Sequence, residues 1–400
     1  MTGPTRKKAS VRDLDLRGKR VFVRVDFNVP LEAGRVSDDT RIRASLPTIR
    51  LVLEKGGRPI LASHLGRPKG KPQPEFSLAP VTEALRPLLG TPVTFSPECV
   101  GEAAGRHASA LAEGETLLLE NLRFHPGEEK NDEGFARQLA ALAGAYVNDA
   151  FGSAHRAHAS VAALCGLLRP AAAGLLMEKE IDFLGRLLGS TPRPYVALLG
   201  GAKVSDKIAL VRNLMPKVDT FLIGGAMAYT FLASRGIATG DSRVETESVA
   251  VASAILEEAK KAGAPIRLPI DHRVADSLES PGAAQTTEGE AIPSGKVGLD
   301  IGPRTVEVFR GELASARTVL WNGPVGLFER PPFDAGSREL AAAIVASGAL
   351  SVAGGGDTAA ALARFGLAER FSHVSTGGGA SLEFLSGLEL PGVAALTDRS

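Results

Sequence analysis

The chain has 400 residues, and its 46 Lys and Arg against 45 Asp and Glu leave a formal net charge of only +1. This balance disfavours a general nucleic-acid binder, which usually carries a strong basic excess. No run reaches the roughly 18 to 20 apolar residues of a membrane span, and the basic start lacks the apolar core of a secretory signal. The length predicts two domains.

The two cysteines, Cys99 and Cys165, have no spacing typical of a zinc site or of a disulfide framework. Two thiols in a chain of this length fit a reducing compartment. Together with the charge balance, they predict a cytoplasmic protein with no nucleic-acid or membrane partner.

In the first half of the chain, short apolar runs alternate with longer segments of helical periodicity. The predicted strands are residues 20–25, 58–62, 116–119 and 145–147. The predicted helices include residues 42–55 and 79–89. A repeated order of strand, helix and strand predicts a parallel sheet with helices on both faces.

The pattern then restarts after an amphipathic segment, residues 175–188, and a breaker cluster, residues 189–194. The predicted strands of this second set are residues 195–199, 220–223, 266–270, 296–299, 318–321, 350–353 and 373–374. We therefore predict an α/β fold of two doubly wound, Rossmann-like domains with mainly parallel sheets, joined by a helix at about residues 175–188. The first domain is placed at residues 1–172 and the second at residues 173–381.

Polar residues, most of them cationic, follow the strands of the first half. Open α/β sheets bind ligands beyond the carboxyl ends of their strands, so these positions are informative. They carry Asp26, Asn28, His64, Arg67, Arg123 and Arg156, and Arg41 follows the first turn. Guanidinium groups match phosphate and carboxylate oxygens bidentately. The first domain is therefore predicted to bind a small polyanion.

Glycines follow the strands of the second half, at residues 200–201, 224–225, 323, 354–356 and 377–379. Glycine allows a close approach of the backbone to a ligand, and a helix N-terminus offers free N–H groups to phosphate. Lys203 and Lys207 lie four apart and are predicted to share a helical face towards that phosphate. Asp357 would either cap a helix or hold Mg²⁺, and the neighbouring phosphate site favours Mg²⁺.

The chain lacks the sequence signatures of several enzyme classes. A GxxxxGK[ST] motif, an HRD…DFG set and a strand-linked GxGxxG motif followed by an acid are all missing, which argues against P-loop kinases, protein kinases and nicotinamide dehydrogenases. Three alternatives stay open at this point: another phosphotransferase or ligase with the same two-domain design, a non-catalytic binding or scaffold protein of this fold, and a nicotinamide dehydrogenase, which the missing motif weakens.

An ordered series of motifs resembles the phosphoglycerate kinase family. The resemblance extends over about residues 11–396. Its motifs are VRVDFNVP (23–30), SHLGRP (63–68), LLENLRF (118–124), AHRAH (154–158), GGAKVSDK (200–207), LDIGP (299–303), WNGPVGLFE (321–329), GGGDT (354–358) and STGGGAS (375–381). The order and extent of the motifs make the resemblance specific.

The resemblance implies reversible phosphoryl transfer from 1,3-bisphosphoglycerate to ADP, giving 3-phosphoglycerate and ATP in glycolysis and gluconeogenesis. It implies in-line transfer after hinge-type closure of a deep interdomain cleft, by a monomer that uses Mg²⁺. It also implies that the tail, residues 382–400, returns to the first domain.

Residue roles follow from the same resemblance. The residues implied to hold 3-phosphoglycerate or 1,3-bisphosphoglycerate are Asp26, Asn28, Arg41, His64, Arg67, Arg123 and Arg156. Those implied to hold the nucleotide are Lys207, Gly298, Glu329, Gly355, Gly356, Asp357 and Thr358, with Asp357 also on the metal. The implied catalytic residues are Arg41, Lys203 and Gly378.

Overall fold

The computed structural model describes residues 7–279 and 284–399, so residues 1–6 of the predicted first domain and Ser400 of the predicted tail lie outside the described residues. The chain divides into two compact units. The first runs to Asp182 and takes in the chain again from Glu389 onward, and the second comprises Phe183–Leu388.

The first unit is built on a parallel sheet flanked by helices. Its strands are β1 (Arg20–Arg24), β2 (Leu31–Glu32), β3 (Arg35–Val36), β4 (Arg58–Ala62), β5 (Val93–Ser96), β6 (Thr116–Leu119), β7 (Ala145–Asn148) and β8 (Ala171–Ala173). Its helices are α1 (Thr40–Glu54), α2 (Ala79–Leu89), α3 (Gly101–Ala110), α4 (Pro126–Glu129), α5 (Glu133–Ala140) and α6 (Ala163–Leu167). The six-stranded sheet has the order β5-β6-β4-β1-β7-β8, and β2 and β3 form a separate hairpin.

Alternation along β1 places apolar side chains on both faces of this sheet, because successive strand residues point to opposite sides. Val21 and Val23 pack in one core with Ile42 and Ile49 of α1. On the other face, the Phe22 ring stacks on Tyr146 of β7 with centroids 6.0 Å apart. A strand that is buried on both faces has a nearly continuous apolar sequence, as the segment around β1 does.

Helix α7 (Leu175–Leu188) contains the point at which the two units divide. The strands of the second unit are β9 (Tyr195–Leu199), β10 (Thr220–Ile223), β11 (Ile266–Arg267), β12 (His272–Ala275), β13 (Gln285–Thr286), β14 (Val297–Ile301), β15 (Thr318–Asn322), β16 (Leu350–Gly354) and β17 (His373–Val374). Its helices are α8 (Ile208–Leu214), α9 (Met227–Ser234), α10 (Val249–Ala262), α11 (Pro303–Ser315), α12 (Ala335–Ser347), α13 (Gly356–Arg364) and α14 (Gly379–Leu385). None of the helices in the described part of the chain is long and apolar enough to cross a membrane.

The second unit also contains a six-stranded parallel sheet, in the order β11-β10-β9-β15-β16-β17. The predicted α/β class with two mainly parallel sheets is therefore confirmed. The strand predicted at residues 296–299 is present as β14, but it pairs antiparallel with β12 in a separate three-stranded sheet. Another predicted strand was too long: β11 ends at Arg267, shortly before Pro269, which has no N–H for a ladder bond.

The returning segment of the first unit contains the short helix α15 (Pro391–Ala394) and pairs with both β8 and the start of the chain. The amide of Thr397 donates to the Ala171 carbonyl at 3.0 Å, and the amide of Ala9 donates to the Thr397 carbonyl at 2.8 Å. Lys8 and Asp398 form an ion pair at 2.8 Å. Main-chain hydrogen bonds therefore fix this segment to the first unit.

Candidate functional site

In the first unit, the strand ends bring most of the predicted substrate residues to one edge of the sheet. The register pairs Arg24 at the end of β1 with Ala62 of β4 and with Asn148 of β7. Parallel strands in this register finish level, so the segments that follow them meet at one edge. Those segments carry Asp26, Asn28, His64, Arg67, Arg123 and Arg156.

Two of the predicted residues hold neighbouring parts of this edge in place. The Asp26 carboxylate accepts a hydrogen bond from Nη1 of Arg41 at 2.7 Å, and the Arg41 side chain remains 38% exposed. The Oδ1 atom of Asn28 accepts from the amide of Gly66 at 2.9 Å, which fixes the loop that follows β4. The Asp26 carboxylate therefore holds the Arg41 guanidinium in place, and the Asn28 side chain holds the loop after β4.

The three other arginines differ in exposure. Arg123 is buried, donates from Nη1 to the Gly66 carbonyl at 2.7 Å, and lies 3.4 Å from Glu129. Burial lowers the pKa of its guanidinium to about 10, which still leaves it charged at neutral pH. Arg156 is half-buried, and Arg67 is exposed and forms no hydrogen bond or ion pair within the described residues. The cluster therefore combines a buried cation with cations that are open to a ligand.

His64 and His158, two buried histidines at this edge of the sheet, are neutral at pH 7. His64 is only 6% exposed, and burial, reinforced by the charge of Arg24, lowers its pKa well below the usual value. Burial, followed by the charge of Arg123, lowers the pKa of His158 to about 3. The 3.9 Å approach of His158 to Glu128 is therefore not an ion pair at neutral pH. A neutral histidine can still donate one hydrogen bond to an anion.

Sequence reasoning missed the buried layer beneath the cluster. Arg24 lies within β1 rather than after it, is fully buried, and contacts Ser160, which in turn binds Glu128. The predicted substrate residues lie beyond the apolar runs of the first unit, whereas Arg24 lies inside the run at residues 20–25. A charged side chain on a strand that is otherwise apolar on both faces was the available signal, because such a group is rarely buried without a partner.

In the second unit, the loops after β9 and β15 meet where the strand order changes direction. Asn322 at the end of β15 is level with Leu199 of β9 and Gly354 of β16. The chain adds strands on one side of β9 first and then on the other, so this is a topological switch point. Such points are the usual ligand crevices of doubly wound sheets.

Several glycines at this switch point are needed so that neighbouring loops can pack directly against each other. A Cβ on Gly200 would lie 2.1 Å from the Pro324 carbonyl oxygen, and one on Gly323 would lie 2.4 Å from the Gly200 oxygen. A Cβ on Gly225 would approach the Gly201 amide nitrogen to 2.7 Å. These glycines therefore let main chains touch, and no ligand is required to explain them.

Other glycines face open space. A Cβ on Gly356 or on Gly378 would meet nothing within 4 Å, and on Gly355 the nearest atom would be 3.6 Å away. Gly355 and Gly378 have φ of +93° and +53°, a region that favours glycine. Gly355 precedes α13, whose N-terminus is not capped by any side chain. Its first amides are therefore available to an anion.

Lys207 lies at the centre of this region and donates from Nζ to Oδ1 of Asn322. Burial lowers the pKa of its ammonium to about 8, against the opposing pull of Asp206 and Asp357. The expectation that Lys203 and Lys207 share one helical face is wrong, because α8 begins only at Ile208. Lys203 is instead an exposed loop residue. Asn322, which directly follows the strand predicted at residues 318–321 and is the last residue of β15, was not among the predicted site residues.

The remaining predicted nucleotide residues have different surroundings. Glu329 is exposed, and no described residue contacts its carboxylate by a hydrogen bond or ion pair. A Cβ on Gly298 would lie 2.3 Å from the Tyr229 hydroxyl, so the space beside this glycine is filled by protein. Thr358 is buried, and its hydroxyl accepts from the Gly323 amide at 2.7 Å. Its side chain therefore holds the β15 loop against α13.

A buried carboxylate supports the loop that carries Glu329. Asp300 accepts from the amide of Gly336 at 2.8 Å and lies 3.3 Å from Nη1 of Arg273. A Cβ on Gly326 would meet its Oδ1 atom at 2.1 Å. Burial raises the pKa of Asp300 to about 7. Asp300, which directly follows the strand predicted at residues 296–299 and lies inside β14, was not among the predicted site residues either.

The described residues include no cluster of three or more His, Cys, Asp or Glu side chains that could hold a metal by themselves. Mg²⁺ does not need such a cluster, because it usually takes one or two carboxylates together with substrate phosphates and waters. Asp357, exposed in the first turn of α13 and without a hydrogen-bond partner in the described part of the chain, offers one such carboxylate. The described residues therefore fit a Mg²⁺ ion that is bound partly by substrate phosphates. They do not form a site that could hold a metal ion by protein ligands alone.

The comparisons with known proteins agree along nearly the whole chain. The family model described as phosphoglycerate kinase matches residues 11–388. A phosphoglycerate kinase of Solibacter usitatus is 56% identical over 392 residues, covering 97% of this chain and 98% of the relative. One of Moorella thermoacetica is 54% identical and covers 98% of this chain and 100% of the relative.

Solved structures give the same result for the fold. The structure of phosphoglycerate kinase from Coxiella burnetii has a TM-score of 0.89 at 40% identity, covering 97% of this chain and 98% of that one. The enzyme from Pyrococcus horikoshii OT3 has a TM-score of 0.85 at 34% identity, with the same coverage.

Proposed function

Because this chain belongs to the phosphoglycerate kinase family and has its activity in glycolysis and gluconeogenesis, we propose that its two units divide the substrates between them. The cationic cluster of the first unit binds 3-phosphoglycerate or 1,3-bisphosphoglycerate. The glycine-rich strand ends of the second unit bind ADP or ATP. The observation that carries this proposal is the contrast between cationic side chains at one sheet edge and open main-chain amides at the other.

The chemistry of the first cluster suits a small organic phosphate. Arg67, Arg156 and the half-exposed Arg41 provide planar groups that match phosphate and carboxylate oxygens. His64, being neutral, adds a directional donor without adding charge. Asp26 and Asn28 orient Arg41 and the Gly66 loop, and Arg123 supports the same loop from beneath.

The chemistry of the second cluster suits a nucleoside di- or triphosphate. The free N-terminus of α13, at Gly355 to Thr358, offers amides to phosphate oxygens. Lys207 adds a cation beside them, and the exposed Glu329 carboxylate can accept from ribose hydroxyls. Gly298 contributes through its main chain, because Tyr229 fills the space at its Cα.

Asp357 is the residue that would hold Mg²⁺, together with phosphate oxygens of the nucleotide. When bound, Mg²⁺ would neutralise part of the phosphate charge and so favour the approach of an anionic acceptor. The position of Asp357 in the first turn of α13 places a carboxylate next to the amides that are proposed to bind phosphate.

The protein has little proton transfer to perform in this reaction. In the direction that consumes ATP, the nucleophile is the carboxylate of 3-phosphoglycerate, which is already ionised at neutral pH. The task is therefore to align donor and acceptor and to stabilise the charge on the transferring group. We assign that stabilisation to Arg41, Lys203 and the amides around Gly378.

In-line transfer requires the two bound substrates to meet, and we propose a hinge-type closure that also excludes water from the acyl phosphate. Small-angle scattering with 3-phosphoglycerate and an unreactive ATP analogue should report a smaller radius of gyration than the ligand-free protein. Unchanged dimensions with both ligands bound would count against closure.

The near-neutral charge and the two buried thiols support a cytoplasmic enzyme with small-molecule partners and no nucleic-acid partner. We further propose that it acts as a monomer. Light scattering at working concentration tests this point, and a mass twice that of the chain would contradict it.

A matched pair of variants tests the division of substrates. Arg67→Met should weaken 3-phosphoglycerate binding about tenfold or more, the scale of a hydrogen bond to a charged group, and leave ADP binding unchanged. Glu329→Gln should weaken ADP binding and leave 3-phosphoglycerate binding unchanged. Isothermal titration of each ligand against each variant measures both effects, and a crossed result would refute the assignment.

A further inference from the structure

The Arg24 side chain lies fully buried beneath the substrate cluster and is held at each of its nitrogens. Its Nε atom donates to the Ser160 hydroxyl at 2.8 Å, and Nη1 donates to the Val25 carbonyl. The remaining nitrogen, Nη2, lies 3.3 Å from Nδ1 of His64. The direction in which Nη2 points is therefore set by the two other contacts.

A guanidinium has only donors and stays charged in proteins. The His64 Nδ1 atom that faces it must therefore accept a hydrogen bond, which requires its lone pair to be free. Burial and the facing groups Arg24, Arg123, His158 and Arg41 all disfavour a charged imidazole. A neutral imidazole with a free Nδ1 lone pair carries its one proton on Nε2.

We propose that Arg24 is a positioning residue that fixes His64 as the Nε2–H tautomer, so that His64 presents a neutral donor to an anionic oxygen of the substrate. No hydrogen bond joins Nε2 to any other residue within ranges 7–279 and 284–399. The statement about the substrate rests on the proposed function. The tautomer of His64 is a property of the free enzyme and does not depend on the substrate.

The layer below Arg24 explains why an arginine is needed there. Ser160 donates from its hydroxyl to Oε1 of Glu128 at 2.6 Å and from its amide to Oε2 at 3.0 Å. The fully buried Glu128 carboxylate thus balances the charge of Arg24 through one hydroxyl. A lysine would keep this charge balance, but its single ammonium does not reproduce the fixed fork that reaches Ser160, Val25 and His64 together.

Nitrogen-15 NMR of the ligand-free enzyme, labelled at the histidine rings, tests the tautomer directly. The His64 signal is identified by its loss in His64→Gln. We expect a pyridine-like Nδ1 and a pyrrole-like Nε2, unchanged from about pH 5 to about pH 8, the range in which an ordinary histidine titrates. A protonated Nδ1 in the free enzyme would overturn the proposal, whatever the substrate does.

Arg24→Lys tests whether the arginine is the cause. This variant should give a mixture of His64 tautomers and raise KM for 3-phosphoglycerate roughly tenfold, with a smaller effect on kcat. Arg20→Lys, on the same strand and bonded at its guanidinium only to Ser109 within the described residues, is the matched control and should leave the His64 spectrum unchanged. A single Nε2–H tautomer retained in Arg24→Lys would overturn the role of Arg24.

Adding 3-phosphoglycerate separates this inference from the proposed function. A shift of the His64 Nε2 signal on saturation supports both. If the tautomer is as proposed but the signal does not respond to saturating ligand, the positioning role towards substrate is overturned, and with it the assignment of His64 as a substrate residue. A different tautomer with a clear response to ligand would overturn only the role given to Arg24.

Discussion

The two sheet edges carry different groups for related tasks: mainly side chains in the first unit and mainly main-chain amides in the second. At the edge of the first sheet, side chains hold one another: Arg41 is fixed by Asp26, and Asn28 fixes the Gly66 loop. At the edge of the second sheet the main chain dominates, with Gly355 and Gly356 open at the start of α13. Side-chain forks suit an anion of fixed shape, whereas amides and a helix N-terminus suit phosphates in general.

The difference also affects tolerance to change. In the first cluster, each contact depends on a particular functional group, so loss of a side chain removes function and leaves the strands intact. In the second, loop packing depends on the absence of a Cβ at positions such as Gly200. We therefore expect side-chain truncation to be most harmful to catalysis in the first unit and Cβ addition to be most harmful to stability in the second.

The largest effect is expected for Arg41→Ala. Removing this guanidinium should lower kcat by at least about 100-fold, the scale for the loss of one group that stabilises charge in the transition state. Steady-state assays with both substrates saturating measure it. Arg43→Ala is the matched control, because Arg43 on the same helix is exposed and pairs only with Asp39 among the described residues. Near-normal turnover in Arg41→Ala would remove Arg41 from the catalytic residues.

A pair of glycine variants tests the difference between packing and open glycines. Gly200→Ala should lower the free energy of unfolding by about 3 kcal/mol, because its Cβ would meet the Pro324 oxygen at 2.1 Å. Gly356→Ala should leave stability unchanged or slightly raised, because its Cβ meets nothing and alanine reduces the entropy of the unfolded chain.

Chemical denaturation compares the stability of the two variants, and titration with ADP compares their binding. Gly356→Ala should bind ADP several-fold more weakly, since a methyl group would stand beside the amides proposed to bind phosphate. Equal stability losses in the two variants would show that the distinction between packing and open glycines is mistaken.

Lys207 should make nucleotide binding depend on pH. Burial lowers the pKa of its ammonium to about 8 in the free enzyme, so it is charged at neutral pH and loses its proton above pH 8. A bound phosphate favours the charged form, so ADP affinity should fall as pH rises through about 8, by up to about tenfold per pH unit.

The variant Lys207→Arg should remove this dependence, because a guanidinium remains charged throughout the range. Calorimetric titration of ADP at several pH values measures the slope for both proteins, whatever their absolute affinities. The same slope in Lys207→Arg would assign the pH dependence to another group.

The smallest effect concerns Asp357. Asp357→Asn should raise the Mg²⁺ concentration needed for half-maximal activity several-fold, because a neutral amide is a poorer ligand for this ion than a carboxylate. Stability should not change, since no described residue hydrogen-bonds to the carboxylate. Activity titrated with Mg²⁺ and thermal unfolding without it give the two readouts. An unaltered Mg²⁺ requirement would assign the metal to other ligands.

The sequence predicted the parallel strands well where apolar runs are bounded by polar or glycine residues, as at β9 and β10. It did not predict that β14 lies outside the main sheet, because strand pairing is a long-range property that a local run does not encode. Strand order was out of reach for the same reason.

Three buried polar residues around the two sites were not among the predicted site residues. Arg24 lies inside the strand predicted at residues 20–25, whereas Asp300 and Asn322 directly follow the strands predicted at residues 296–299 and 318–321. Each is buried against other polar groups, which is a property of tertiary packing that a local sequence pattern does not show. The sequence also gave no means of separating Gly200 from Gly356. Gly200 lies in a glycine pair and Gly356 in a run of three glycines, and both runs follow an apolar strand. Only the position of the neighbouring loop decides whether such a glycine packs or stays open.

The division of substrates between the two units is tested most directly by hydrogen–deuterium exchange with one ligand at a time. With 3-phosphoglycerate alone, protection should rise in residues 26–28 and 64–67 of the first unit. With ADP and Mg²⁺, it should rise in residues 200–207 and 355–358 of the second. Protection by 3-phosphoglycerate at the glycine loops, or by ADP at the cationic cluster, would contradict the account.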